Sequence, residues 1–264
     1  MDRNKEKGYT EGISRLMLLY MKNEKIGYVH SIFKNSLNIK FGENLVYISG
    51  LEKKLVSFGC RISDDKIEKI IRKAKTGDIV VHRYGKMVFY TDGGVEVLNL
   101  PLNKIEELRI PYISSMKYRQ KIFKNIMENI EDMDLKNKSG LGNIKNELEE
   151  KFSNGLTEEI QKYLTGRGKG LTPSGDDLLT GYSFICRLCG ENIVLKYGNS
   201  TTDISRQYFD AFNRGYVSED ILDLLRKDTG KAVKDITEIG HTSGYDMLLG
   251  IVLGIRGKYQ KWRK

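Results

Sequence analysis

The sequence is poor in cysteine, and this scarcity excludes one class of protein. Its 264 residues contain three cysteines, Cys60, Cys186 and Cys189, too few and too odd in number for a disulfide-stabilised secreted domain. Cys186 and Cys189 form a C-x-x-C pair. The pair lies well inside a predicted helix, away from the N-terminus that would lower a thiol pKa. We therefore expect core-packing thiols and a cytoplasmic protein.

Long apolar runs are also absent. No stretch approaches the roughly 18 consecutive apolar residues of a membrane-spanning helix. The run ISRLMLLYM at 13–21 is interrupted by Arg15 and lacks a small-residue cleavage site. It therefore predicts an amphipathic helix within a lead-in of residues 1–25, not a signal peptide, and no membrane partner is expected.

Charge of one sign is not concentrated anywhere in the chain. The formal charge is +9, but the 44 Lys and Arg residues are spread along the sequence among 35 Asp and Glu residues. Nucleic-acid-binding proteins more often show a basic block or stripe. We therefore expect no nucleic-acid partner. A basic composition of this kind favours solubility and suits small anionic substrates.

What is present begins with a β-rich domain at residues 26–110. Seven short runs rich in β-branched and aromatic residues predict strands, and glycine-containing turns after Tyr84 and Asp92 predict tight hairpins. One helix is predicted at 63–77, because its isoleucines fall on one face and it ends at a glycine.

Beyond Pro111 the spacing of the apolar residues becomes that of α-helices. The spacing of isoleucine and phenylalanine over 122–130 predicts one helix, and a polar surface connection is predicted at 134–146. Further helices are predicted at 156–164, 202–214, 218–227 and 230–239. The fold class expected is therefore α+β, with a β-rich N-terminal part followed by a mainly helical C-terminal domain at residues 111–264.

A motif occurs twice in the helical domain. The segments GLTPSGDDLLTG (170–181) and GHTSGYDMLLG (240–250) both read Ser-Gly-x-Asp-[Leu/Met]-Leu-x-Gly. Each predicts a loop that becomes a helix, with Ser174 or Ser243 as N-cap and Asp177 or Asp246 as a structural cap at the third position. The equal spacing to a second glycine predicts two closely packed helices whose N-termini face one crevice.

Such paired helix ends form an anion-binding arrangement. The preceding TGRGKG (165–170) adds a glycine loop with two cations, although it does not match the P-loop pattern. The substrate-binding residues expected are Arg167, Gly168, Lys169, Gly170, Thr172, Ser174 and Gly175, facing Thr242, Ser243 and Gly244. The alternative is two well-capped core helices without a ligand.

Two residues are candidates for proton transfer. Asp176 is not needed for capping, and His241 directly precedes the second motif, where it serves either as an acid or base or as a support for the loop. A metal held by aspartates and His241 is the less favoured alternative, because Asp177 and Asp246 already have capping roles. No metal and no cofactor are therefore expected.

The segments GRGKGLTPSGDDLLTG, IGHTSGYDMLLGIVLG and, near the start, HSIFKNSLNI resemble the AllH-type subunit of oxamate carbamoyltransferase over about residues 28–256. The resemblance implies carbamoyl transfer between phosphate and oxamate, with oxalurate as the carbamoylated acid, in the anaerobic breakdown of allantoin. It also implies partner subunits. Carbamoyl phosphate and oxamate are small anions, which suits the predicted site. A non-catalytic structural or regulatory subunit is the alternative.

Overall fold

The computed structural model describes residues 9–143, 147–226 and 228–262. The chain divides into two compact units. One consists of Met1–Leu108 with Tyr216–Glu219, and the other of Arg109–Gly215 with Asp220–Lys264. The β-strands lie in the first unit and most helices in the second, so the predicted α+β class is confirmed.

The first unit contains a nine-stranded sheet within the described part of the chain, in the order β8-β7-β6-β2-β3-β4-β5-β1-β9. Its strands are Gly12–Ser14 (β1), Ile26–Phe33 (β2), Ser36–Phe41 (β3), Asn44–Ser49 (β4), Gly59–Arg61 (β5), Ile79–Arg83 (β6), Lys86–Thr91 (β7), Gly94–Asn99 (β8) and Ile105–Glu106 (β9). Most neighbours are antiparallel, and β1–β9 and β4–β5 are parallel.

The β6–β7 hairpin turns where the sequence predicted it. Arg83 pairs with Lys86, which leaves a two-residue loop of Tyr84 and Gly85. Both loop residues have positive φ, 49° and 72°, as a type I′ turn requires. This turn fixes the register of the strands that follow.

One predicted strand is largely missing. In the run KLVSFGC only the end, from Gly59, is in a strand. The backbone of Leu55 is instead satisfied by Glu219. The Leu55 N–H donates to Glu219 Oε2 at 2.9 Å, and the Leu55 carbonyl accepts from the Glu219 N–H at 2.9 Å. A partner so distant in sequence could not be read from the local pattern.

Two helices accompany the sheet. Helix α1, Arg15–Tyr20, follows β1 directly and is capped by the Ser14 hydroxyl, so the lead-in predicted to be helical contains a strand as well. Helix α2, Asp64–Ile71, starts with two aspartates and buries Ile67 and Ile70. Its acidic first turn complements the positive end of the helix dipole.

The C-terminal half of the chain is helical. The helices are Met116–Glu128 (α3), Leu135–Lys138 (α4), Leu148–Lys151 (α5), Glu158–Leu164 (α6), Ser174–Leu188 (α7), Asp203–Asn213 (α8), Glu219–Asp223 (α9), Thr229–Thr237 (α10) and Ser243–Trp262 (α11). The predicted surface connection at 134–146 contains α4, and its last three residues lie outside the described ranges. None of the described helices is long and apolar enough to cross a membrane.

Helices α7 and α11 pack against each other through their second motif glycines. A β-carbon on Gly181 would lie 2.1 Å from the Met247 carbonyl oxygen, and one on Gly250 would lie 2.0 Å from the Leu178 carbonyl oxygen. The two backbones therefore approach as closely as the equal motif spacing predicted. Any side chain at either position would separate the helices.

Candidate functional site

The two motifs occupy equivalent positions in the second unit. Each first motif glycine packs on the end of the helix before it. A β-carbon on Gly175 would lie 2.0 Å from the Leu164 carbonyl oxygen of α6, and one on Gly244 would lie 1.9 Å from the Ile236 carbonyl oxygen of α10. The same arrangement thus occurs twice: a helix, a turn, and a second helix whose motif glycine packs on the end of the first. This contact sets the direction of α7 and of α11.

Helix α7 begins one residue earlier than predicted. Pro173 occupies the N-cap position and Ser174 is the first helical residue, so the prediction that Ser174 is the N-cap is wrong. The Pro173 carbonyl accepts the Asp176 and Asp177 N–H groups at 2.9 and 3.2 Å, and this starts the helix. The Ser174 hydroxyl is therefore available for contacts outside its own first turn.

Four hydroxyl groups meet where the two motifs come together. Thr172 Oγ1 lies 2.9 Å from Ser243 Oγ, and Ser174 Oγ lies 3.5 Å from Thr242 Oγ1. Each serine thus pairs with a threonine of the other motif. The predicted meeting of the two motifs is confirmed by these contacts, and we call these four side chains the hydroxyl cluster.

Asp177 lies against the hydroxyl cluster and is almost fully buried, with 7% exposure. Its carboxyl is hydrogen-bonded by Ser243 and Thr172, so it links the two motifs, a role different from the capping expected of it. Among the residues that the structure describes, none forms a hydrogen bond with its Oδ2. Burial raises the pKa of Asp177 well above the usual aspartate range, and the nearby charges of Asp246 and Asp176 raise it further.

Asp246 is the counterpart of Asp177 in the second motif, and it is fully buried. Its carboxylate accepts hydrogen bonds from Ser139 Oγ at 2.5 Å and the Gly140 N–H at 3.1 Å, and also from Ser174 and Thr242. Burial raises its pKa, which these donors partly oppose. Ser139 and Gly140 were missed from the sequence because they lie in the polar segment read as a surface connection.

Asp176 holds the glycine loop. Its carboxylate accepts hydrogen bonds from the Gly166 N–H at 2.7 Å and from the hydroxyls of Thr201 and Ser205. Burial raises its pKa and the three donors oppose the shift. Asp176 therefore has donors on both oxygens, unlike Asp177. Thr201 lies just before α8 and Ser205 lies within it. No motif in the sequence marked either residue.

The two cations of the glycine loop are exposed. The Arg167 guanidinium lies 4.2 Å from the centre of the Tyr163 ring, and its Nε donates to the Tyr163 carbonyl at 2.9 Å. Lys169 is exposed as well, between Gly168 and Gly170, which both have positive φ. These cations are thus at the solvent side of the loop, where they can meet an arriving anion.

The hypothesis that the paired helix N-termini bind an anion depends on free first-turn N–H groups, and two of these already donate hydrogen bonds within the protein. The Gly175 N–H donates to the Arg167 carbonyl at 2.8 Å, and the Gly244 N–H donates to the Ile239 carbonyl at 3.1 Å. These two first-turn groups cannot bind a ligand without giving up these bonds. The chemistry available at the motifs is therefore that of hydroxyls and a buried carboxyl, with cations nearby.

His241 lies exposed in the turn before α11, adjacent to Thr242 of the hydroxyl cluster. Within the described residues, no group of three or more His, Cys, Asp or Glu side chains is arranged to hold a metal ion. The three cysteines are free thiols, two of them buried, and burial raises the pKa of Cys186 to about 12. They fit the packing role expected.

Comparison with known proteins finds a family model that matches the region containing the two motifs. Residues 164–255 match the model of the family described as oxamate carbamoyltransferase subunit AllH, so the resemblance read from the two motifs is confirmed. The matched segment contains α7, the loops before α7 and α11, and α11 as far as residue 255, whereas HSIFKNSLNI lies outside it. No solved structure matches the chain.

Proposed function

Because residues 164–255 match the AllH family, we propose that the chain is a subunit of an oxamate carbamoyltransferase whose substrate binds at the paired motifs. One observation carries this proposal. The family match covers both motifs, and the structure brings them into contact through Thr172 and Ser243, 71 residues apart in sequence and 2.9 Å apart at their hydroxyls.

The unpartnered oxygen of Asp177 favours a ligand with an amide group. A buried polar atom without a partner is costly, so a ligand that supplies the missing hydrogen bond is favoured. An ionised Asp177 would accept an amide N–H, and a protonated one would donate to a carbonyl oxygen. Oxamate, oxalurate and carbamoyl phosphate all contain an H₂N–C=O group that can take either bond.

The cations and the hydroxyl cluster have different roles in the proposed carbamoyl transfer. The exposed cations Arg167 and Lys169 attract the phosphate and carboxylate groups. The hydroxyl cluster donates to the oxygen that becomes negative as the acceptor nitrogen bonds to the carbamoyl carbon. The C–O bond to phosphate then breaks, phosphate leaves, and the proton of the attacking amide passes to a base.

We assign that base to Asp177. Its Oδ2 has no hydrogen-bond partner among the described residues, whereas both oxygens of Asp176 accept bonds from the loop and its surroundings, and burial raises the pKa of Asp177, which makes it a stronger base than an exposed aspartate. Asp176 then positions the glycine loop. His241, exposed beside the cluster, is the second candidate for proton transfer.

The experiment measures oxamate binding by calorimetry with the purified full-length chain, alone and with its partner subunits. Replacing both Ser174 and Ser243 by alanine should weaken binding at least about tenfold, since charge-free hydrogen bonds are worth about 1 kcal/mol each. Ser115→Ala is the matched control, because Ser115 caps α3 and its loss costs only stability. Unchanged binding by the double variant would show that the ligand binds elsewhere.

A non-catalytic subunit is the second candidate, favoured by the internal hydrogen bonds of Gly175 and Gly244. The two functions differ in one assay. Formation of carbamoyl phosphate from oxalurate and phosphate is measured in the reconstituted complex with either wild-type chain or Asp177→Asn. A catalytic site here predicts a loss of at least about a hundredfold, while wild-type rates with Asp177→Asn place the chemistry in a partner subunit.

A further inference from the structure

Part of the β-sheet presents an apolar face to solvent. Four directly paired residues cross strands β2, β6, β7 and β8 in one row, namely Tyr28, Ile79, Tyr90 and Val95. Their exposed fractions are 43%, 53%, 51% and 56%. Paired residues point to the same side of a sheet, so the row is continuous.

A second row lies beside the first, two residues along each strand. It consists of Ile26, Val81, Val88 and Val97, which are also directly paired. Ile26 and Val97 are more than half exposed, and the two middle valines are partly exposed. We call the two rows the apolar face. The opposite side of the same strands buries Val80 and Phe89 in the core.

The apolar face is large for a surface without a partner. A fully buried aromatic side chain covers about 150–250 Å², and valine and isoleucine are smaller, so the two tyrosines and four aliphatic side chains that are about half exposed supply roughly 400–600 Å². The largest apolar patch of a typical monomer is about 300–600 Å² and is often functional. A standard protein interface buries about 800 Å² per partner, which this face with its rim approaches.

From this we propose that the apolar face binds the same face of a second copy of the chain. Both rows are built of valine, isoleucine and tyrosine, whose side chains interdigitate when two sheets stack. A face that carries no charge within its two rows is complementary to itself, as the two-fold interface of a homodimer requires. The area of the face, together with its rim, approaches what such a dimer needs.

The charges at the two ends of the apolar face favour one direction for the two-fold axis of the dimer, namely across the strands and not along them. The next row on the same side is basic, with Arg83 paired to Lys86. The other end contains Asp92, whose carboxylate accepts from Lys75 Nζ at 2.6 Å, so that end is balanced. A two-fold axis across the strands places each basic end over the balanced end of the other copy. It thereby avoids the repulsion of two basic ends.

The dimer is tested by sedimentation velocity of the full-length chain across the micromolar range. Tyr90→Glu should raise the dimer dissociation constant at least about tenfold, because it buries an unpaired charge. Tyr118→Glu on α3 is the matched control, since Tyr118 is also 51% exposed and lies outside the face. Circular dichroism confirms that both variants are folded.

A monomeric wild-type chain, or equal dimerisation of both variants, would overturn the proposal. The axis has its own test. It places Tyr90 of one copy over Val88 of the other, so a mixture of Tyr90→Glu and Val88→Lys chains should associate more tightly than either variant alone. Equal dissociation of the mixture and the separate variants would overturn the axis across the strands.

Discussion

Gly181 and Gly250 form the point at which helices α7 and α11 cross. A methyl group on either would lie within about 2 Å of a carbonyl oxygen of the other helix. This distance is far below van der Waals contact, so the two glycines set how closely the helices approach. The same crossing places the motif serines, Ser174 and Ser243, near each other; each lies seven residues before its glycine.

Alanine at this crossing should destabilise the protein. Gly181→Ala or Gly250→Ala forces the backbones apart, and overpacking of this kind costs about 1–3 kcal/mol or more. Thermal and urea unfolding measure the loss. Gly257→Ala on α11 is the matched control, because its β-carbon would have no heavy atom closer than 3.7 Å. That variant should gain up to about 1 kcal/mol from helix propensity.

The buried carboxyl of Asp177 should make stability depend on pH. Its pKa is raised in the folded state, so the folded protein holds this proton more tightly than the unfolded chain. The stability from the neutral acid is therefore complete below the usual aspartate pKa of about 3.9. It is lost as the pH rises through the raised pKa, by up to about 1.4 kcal/mol per pH unit.

Asparagine at this position stays neutral and keeps the shape of the acid. Asp177→Asn should therefore become more stable relative to wild type as the pH rises from about 4 to about 8, as measured by urea unfolding at each pH. Asp132→Asn, at an exposed position, should follow wild type throughout. A constant difference between Asp177→Asn and wild type would contradict the raised pKa.

Removal of the Asp176 carboxylate should release the glycine loop. Asp176→Ala breaks the bonds to Gly166, Thr201 and Ser205, and the loop contains Arg167 and Lys169, both exposed and both trypsin sites. Limited trypsin digestion under native conditions should therefore cleave this loop faster in the variant.

Gly181→Ala serves as the comparison for this experiment, because it lowers global stability without touching the loop bonds. If both variants are cleaved at 167 and 169 at the same rate, global unfolding and not loop release explains the cleavage.

The sequence predicted those parts of the molecule that depend on local pattern. The hairpin at Tyr84 and Gly85 follows from turn chemistry, and the α7–α11 crossing follows from two glycines at equal motif spacing. The N-cap at Ser174 was misplaced by one residue, because the carbonyl of Pro173 already binds the first-turn amides. Local patterns determine element type better than the last residue of an element.

The partners of the buried carboxyls could not be predicted. Gly140 donates to Asp246 across 106 residues, and Thr201 donates to Asp176 across 25. Neither donor has a residue type or spacing that marks it, since any backbone N–H or hydroxyl can satisfy a carboxylate. The roles of Asp176 and Asp177 depend on these partners, so two adjacent aspartates could be told apart only in three dimensions.

The depth of Asp177 has a kinetic consequence. If a substrate binds at the Asp177 carboxyl as proposed, the chain packed around it, including the hydrogen-bonded segment at Thr172, must move aside first, since 93% of the residue is covered. Arrival and departure of a ligand would then be timed by the opening of that segment, not by diffusion. Tight and weak ligands of the same size would consequently differ in residence time far more than in their rate of capture.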